Sequence, residues 1–268
     1  MSLVQELEPR WIALDGAVNA RDVGGLPLDG GGAVAAGRLL RSDNLQDLSP
    51  RDVDVLLDAH GVRTVVDLRT GVEVVLEGPG PLVHDPRVTV EHRSLYPETG
   101  DRTDIEADAI TPWQAGVTGA AGRGESATVQ SYLGYLEHRP DSIVAALRTI
   151  AAPAAGGAVL VHCAAGKDRT GMVVALALEA AGVPRAAIVE DYVASAQRIE
   201  AIVGRLVASP TYAPDMHVRE PRRHAPRPAT IWRVFELLDA EAGGPAAWMA
   251  AHGFDAGAQA ALRARLSA

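Results

Sequence analysis

The sequence predicts an α/β fold with a mostly parallel central sheet flanked by helices. Two observations carry that expectation. Short β-branched or aliphatic runs recur at Val62–Leu68, Val88–Leu95 and Ala158–Val161. Segments with helical spacing lie between and after them, the pattern of strands joined by crossover helices and covered on both faces.

Taken in order, Ser49-Pro50-Arg51-Asp52 opens a helix, with a serine cap and proline at the first helical position. Val62–Leu68 follows Gly61 and reads as a buried strand. Val88–Leu95 reads as a second strand. Ser131–Ile150 recovers helical spacing with a break expected at Pro140. Ala158–Val161 reads as a third strand, ending at His162-Cys163. Gly171–Ala181 is a near-continuous apolar helix stopped by Gly182 and Pro184, and Pro184–Ile202 reads as a further helical pair.

Two stretches break the regularity. Residues 99–150 read as a lid or insert, because Thr99–Thr128 is first acidic and then rich in Gly and Ala. Residues 209–230 read as a Pro/Arg-rich loop carrying Arg219, Arg222, Arg223 and Arg227, expected to be solvated. No linker or repeat divides the chain, so residues 1–268 are read as a single domain.

Composition limits the function classes. The chain is 47% apolar but only 4% aromatic, so its core rests on aliphatic side chains. A net charge of -9 argues against broad binding to nucleic acid or anionic lipid. One cysteine excludes an intramolecular disulfide and a multi-cysteine metal site. No run reaches the roughly 18 apolar residues of a membrane span, and the N-terminus lacks a signal-peptide layout, which makes a cytoplasmic location the expectation. No cofactor and no metal are expected.

The stretch Ala158–Leu178 carries the chemistry. A strand ends, a short loop turns at Gly166, and a helix begins near Thr170. Inward amides and a helix N-terminus make an anion seat of phosphate size. The same field favours thiolate at Cys163. Arg169, six positions on, offers a planar fork for two phosphoryl oxygens. Cys163 is therefore the candidate nucleophile and Arg169 the oxygen clamp. Ala164, Ala165, Gly166, Lys167 and Thr170 complete the substrate seat, with Lys167 adding positive field. His162 is expected to orient the loop by hydrogen bonding.

His162-Cys163-Ala164-Ala165-Gly166-Lys167-Asp168-Arg169-Thr170-Gly171 resembles the HC-x5-R-[ST] signature of the cysteine-dependent protein tyrosine phosphatases, in the bacterial form with GKDRTG. Asn19–Gly25 and Gly37–Ser42 are similar to that branch's N-F-R-D-x-G-G and GRLFRS elements, and Ile231–Leu266 resembles its closing helices. The resemblance implies a tyrosine-phosphatase-like fold and a phosphocysteine intermediate. It also implies phosphotyrosine or dual-specificity protein substrates; Lys167 and the arginine-rich loop offer phosphoinositides as the alternative, and the absence of a W-P-D motif offers an inactive phosphate-binding module as a third reading. Asn19–Gly25 is expected to brace the site, and Thr170 to bond the cysteine sulfur.

One departure stands out. The wider family carries its general acid on a W-P-D loop, and this chain has none. Asp168, within the loop, is the first candidate acid. Glu98, in Leu95-Tyr96-Pro97-Glu98, is the second.

Overall fold

The computed structural model describes residues 10–96, 125–213 and 221–267. Within them, six strands form one sheet: β1 (Arg10–Trp11), β2 (Arg21–Asp22), β3 (Leu39–Ser42), β4 (Val62–Asp67), β5 (Thr89–His92) and β6 (Ala158–His162). Their order is β1-β2-β3-β6-β4-β5, so the strand that leads into Cys163 is central. β3, β6, β4 and β5 run parallel, while β1 and β2 are antiparallel additions at one edge. The sheet is thus mostly parallel, as the strand pattern predicts. β5 is shorter than the run Val88–Leu95 suggested.

Pleating sends alternate side chains to opposite faces. Val159 and Val161 of β6 enter the larger core, while Ala158 and Leu160 enter the smaller one. Burying each large aliphatic side chain is worth about 1.5–3 kcal/mol, so a one-residue slip would exchange both cores and is strongly opposed.

The helices of the larger face are α3 (Ala127–His138), α4 (Pro140–Ala151), α5 (Arg169–Ala181), α6 (Arg185–Ala194), α8 (Pro228–Ala242), α9 (Pro245–Ala251) and α10 (Ala256–Leu266). The smaller face is closed by α1 (Pro50–Asp54) and the π-turn after it, Val55–Ala59. α2 (Gly71–Glu77) follows β4, and α7 (Ile199–Ala208) follows α6 after a 3-10 turn at Ser195–Arg198.

Several local signals act as expected. Ser49 and Asp52 form a capping box that starts α1. Pro140 separates α3 from α4. Gly182 ends α5 in the left-handed region at φ 87°, where a β-carbon is disfavoured. The helical pair after Pro184 extends to Ala208 rather than Ile202, since Ile202, Val203 and Leu206 continue an apolar face. The short β1 and β2 and the helix α2 were not anticipated.

Of the expected insert, residues 99–124 lie outside the described residues, and residues 125–150 supply the N-cap of α3, α3 itself and most of α4. Among the described residues, no helix is long and apolar enough to cross a membrane.

Candidate active site

Parallel strands bring their carboxyl ends to one edge, and open α/β sheets place sites there. At this edge β6 releases the chain into His162–Thr170, between the ends of β3 and β4.

The loop is held from outside by its carbonyls. The Ala164 carbonyl accepts the Asn44 amide at 3.0 Å, and the Ala165 carbonyl accepts the Asn19 side-chain amide at 3.0 Å. The Gly166 carbonyl accepts Arg41 Nη2 at 2.8 Å. Because a trans peptide points its N–H opposite to its C=O, three carbonyls tied outward turn the following amides inward. The Gly166 amide donates to Cys163 Sγ at 3.3 Å. Gly166 has φ 67°, and a β-carbon there would lie 2.4 Å from the Ser42 carbonyl oxygen. Only glycine fits. α7 packs behind the loop, with Ile199, Ile202, Val203 and Leu206 clustered around Ala164 and Ala165.

Arg41 is held in turn. Arg41 and Arg21 both pair with the buried carboxylate of Asp191 on α6, and Arg21 Nη1 also donates to Asn19 Oδ1 at 2.8 Å. Burial alone would raise Asp191, yet the two guanidiniums keep its carboxyl below the usual range. Asn19–Gly25 is thus a brace: Asn19 ties the loop, Arg21 ties α6, and Asp22 turns away to cap the amides of Gly24 and Gly37.

Arg169 is fully buried at the start of α5. Nη1 and Nη2 donate to Oε2 and Oε1 of Glu73 at 2.6 and 2.8 Å. Nη1 also reaches the Leu68 carbonyl at 3.2 Å, Nη2 reaches the Tyr212 hydroxyl at 3.3 Å, and the guanidinium carbon stands 5.2 Å from the Tyr96 ring centroid. Glu73 also completes the capping box of α2 with Thr70 and accepts from the Tyr212 hydroxyl. Burial pushes the Glu73 carboxyl up, but Arg169 and these donors bring it below its ordinary value.

His162 lies buried, with Nε2 3.5 Å from Asp67 Oδ1 and Nδ1 3.4 Å from the Cys163 carbonyl. Burial lowers it to about 4 despite the pull of the Asp67 carboxylate.

Asp168 and Lys167 are both 4% exposed. Asp168 accepts from the Tyr132 hydroxyl on one oxygen and from Lys167 Nζ on the other, each at 2.6 Å. Tyr192 meets the Tyr132 hydroxyl at 2.8 Å. Lys167, expected to add positive field to the seat, shares its ammonium with the adjacent Asp168 carboxylate. Among the described residues the buried Thr170 hydroxyl has no hydrogen-bond partner, so the expected bond to sulfur is not formed here. Glu98 lies outside the described residues.

The structure therefore gathers Cys163, Ala164, Ala165, Gly166, Lys167, Asp168, Arg169 and Thr170 in one loop and helix start. Glu73, Asp191 and Tyr132 were missed, whereas Asn19 was expected as part of the Asn19–Gly25 brace. A signal existed for Glu73 alone, since Thr70-Gly71-Val72-Glu73 after a strand is a capping-box pattern. Among the described residues, no group of three or more His, Cys, Asp or Glu could hold a metal ion.

A model of the tyrosine phosphatase family matches residues 12–268. The chain is 34% identical over 209 residues to the triple specificity protein phosphatase PtpB of Mycobacterium tuberculosis, covering 72% of each protein. It is 34% identical over 169 residues to a tyrosine-protein phosphatase of Nostoc commune, a match that covers 63% of this chain and about half, 51%, of that one.

Proposed function

Because the chain belongs to the tyrosine phosphatase family of phosphoric monoester hydrolases, we propose that it hydrolyses phosphotyrosine or dual-specificity protein substrates through a phosphocysteine at Cys163. The observation that carries this reading is the Gly166 amide on Cys163 Sγ, inside a loop whose Ala164, Ala165 and Gly166 carbonyls are tied outward.

In the first step the thiolate attacks phosphorus, an S–P bond forms, and the ester P–O bond breaks. Inward amides of the loop face the charge that spreads over the phosphoryl oxygens. Glu73 occupies the edge of the guanidinium between its two terminal nitrogens. The phosphoryl group takes the Nε–Nη2 edge, displacing the longer Nη2–Tyr212 contact. Once the substrate draws the Lys167 ammonium off the carboxyl group, Asp168 in its protonated form gives that proton to the leaving oxygen. In the second step water attacks phosphorus, passes its proton to Asp168, and the S–P bond breaks. The unpartnered Thr170 hydroxyl then donates to the departing sulfur.

We read the chain as one domain. Support comes from the isolated bridge of Val34 with Ser267, which ties the last described residue back to the segment between β2 and β3. Phosphoinositides are the narrower alternative; parallel rates on phosphotyrosine peptides and phosphoinositides separate the two.

The test is Cys163→Ser. It should abolish turnover of p-nitrophenyl phosphate and keep binding of inorganic phosphate, while the wild type gives a burst of nitrophenol. Turnover at the wild-type rate in Cys163→Ser would sink the mechanism.

A further inference from the structure

The chain has five tyrosines in 268 residues, and all five are buried. Each touches Asp168 or Arg169, directly or through one other tyrosine. Tyr96 and Tyr212 meet Arg169, and Tyr132 meets Asp168. Tyr135 bonds the Tyr96 hydroxyl, and Tyr192 bonds the Tyr132 hydroxyl. In a core that otherwise rests on aliphatic side chains, buried phenols are thus gathered at the catalytic loop.

Asp168 stands at the N-cap position of α5, yet its side chain makes no capping hydrogen bond. Ser49, Thr70, Ser126 and Asp255, at the same position of α1, α2, α3 and α10, all cap their helices. The Asp168 carboxylate is held elsewhere, by the Tyr132 hydroxyl on Oδ1 and by Lys167 Nζ on Oδ2. The two holders differ in kind. Lys167 is the adjacent residue and reaches Oδ2 on a flexible stem. Tyr132 is fixed within α3, its ring stacked on Tyr135 at 5.8 Å and set edge-on to Tyr192 at 6.4 Å.

The count of protons gives these bonds a direction. A phenol has one proton to donate. Tyr132 donates it to Asp168, so in its 2.8 Å contact with Tyr192 it accepts, and Tyr192 donates. Burial, with the Asp168 carboxylate beside it, pushes the Tyr132 hydroxyl well above its ordinary value, so it stays a donor. Gly171, which closes the GKDRTG motif, makes room for this chain. A β-carbon there would lie 3.0 and 3.1 Å from two ring carbons of Tyr192.

We propose that Tyr132, held by Tyr192, is a positioning residue for proton transfer: it keeps Asp168 Oδ1 as an acceptor, so that the transferable proton is carried on Oδ2. The proposal rests on the reading of Asp168 as the general acid. In the first step the Oδ2–H bond breaks as an O–H bond forms on the leaving oxygen. In the second, a proton from water returns to Oδ2. Tyr132 neither gains nor loses a proton. A carboxyl group without a fixed donor would present either oxygen, and the donor removes that freedom before the reaction begins.

The experiment measures kcat and KM on aryl phosphates ranging from p-nitrophenyl phosphate, with an acidic leaving group, to phenyl phosphate, with a basic one. The variants are Tyr132→Phe, Tyr192→Phe, Asp168→Asn and Tyr132→Phe combined with Asp168→Asn. Tyr132→Phe keeps the ring and removes only the hydroxyl. It should lower kcat on phenyl phosphate by about tenfold, the scale of a hydrogen bond to a charged group, and on p-nitrophenyl phosphate by much less, with KM unchanged. Tyr192→Phe should show the same pattern more weakly, and it reads the same chain if Tyr132→Phe fails to fold. In the Asp168→Asn background, Tyr132→Phe should cost nothing further, because it acts only through that carboxyl group. Thermal melting and inorganic phosphate binding check that the variants fold. An equal loss on every ester in Tyr132→Phe, a loss that adds to that of Asp168→Asn, or wild-type rates on phenyl phosphate would overturn the proposal. Failure of the acid reading would look different and would take the proposal with it: Asp168→Asn itself would slow every ester by the same factor. Failure of the phosphatase reading would leave the wild type inert toward the whole series.

Discussion

Arg169 and Glu73 meet edge to edge, with two hydrogen bonds of 2.6 and 2.8 Å and both side chains sealed from solvent. The pair fixes the plane of the guanidinium before any substrate arrives. Orientation of this kind lowers the entropic cost of reaching the transition state. Glu73 is itself fixed by the Thr70 cap and the Tyr212 hydroxyl, so the arginine inherits the rigidity of α2.

Glu73→Ala should leave a buried guanidinium without its partner. Breaking a buried pair costs roughly 3–5 kcal/mol, so urea denaturation should show a loss of that order. kcat should fall with it, and Arg169→Lys should fail in kcat even where the fold survives. The folded Glu73 carboxyl is lowered, so its contribution is present above the ordinary carboxyl value and is lost as pH falls through the folded value. Melting curves below pH 4.5 should therefore separate wild type from Glu73→Gln less than curves at pH 7 do.

His162 gives a second pH signature with its own window. It is held neutral, at about 4 against an ordinary 6.5. The unfolded chain takes up a proton first as pH falls. Stability should drop between pH 6.5 and about 4 and level off below that, by an amount on the order of 3 kcal/mol. His162→Asn should flatten this slope. An unchanged slope would mean that other groups set it.

Gly166→Ala tests the loop directly. The residue would carry a β-carbon at φ 67° and 2.4 Å from a backbone oxygen that cannot yield cheaply. Strain of this kind costs on the order of 1–3 kcal/mol before any clash. Activity should fall more than stability does, because the Gly166 amide meets Cys163 Sγ and its carbonyl meets Arg41.

Asp191→Asn tests the brace. One carboxylate holds Arg21 and Arg41, and Arg41 holds the Gly166 carbonyl. Asp191 touches neither substrate nor sulfur, so it is a positioning residue. Its loss should lower kcat with little change in KM, whereas general destabilisation would show only in melting. Asp191→Glu should restore part of kcat.

Asp168→Asn tests the proton donor. Loss of a general acid costs typically 10²–10⁴-fold, and most where the leaving group is most basic. Phosphotyrosine hydrolysis should slow far more than hydrolysis of an aryl ester with an acidic phenol. An equal factor on every ester would instead mark Asp168 as a brace for Tyr132 and Lys167, which it also contacts. Glu98→Gln, measured the same way, compares the second candidate.

The nucleophile, the turn, the arginine and the helix start lie within one contiguous stretch, His162–Thr170. Their spacing alone determined the local shape, because a strand, a left-handed glycine and a helix N-terminus leave little freedom between them. The parallel strands and the stops at Pro140 and Gly182 were legible for the same reason: apolar runs, prolines and glycines act on their own neighbourhood. What holds the loop was decided only by tertiary structure. Glu73 is 96 positions from Arg169, Arg41 is 125 from Gly166, and Asn19 is 146 from Ala165. A capping box at Thr70 and Glu73 is visible in the chain, but nothing in it names the cation it will meet. The charge pairs Arg21–Asp191 and Arg41–Asp191 span 170 and 150 positions and have no periodicity to reveal them, and a buried charge finds its partner only when the sheet brings the carboxyl ends of β3, β6 and β4 to one edge. Local spacing therefore set the chemistry on offer, while burial and long-range pairing decided which side chains hold it in place.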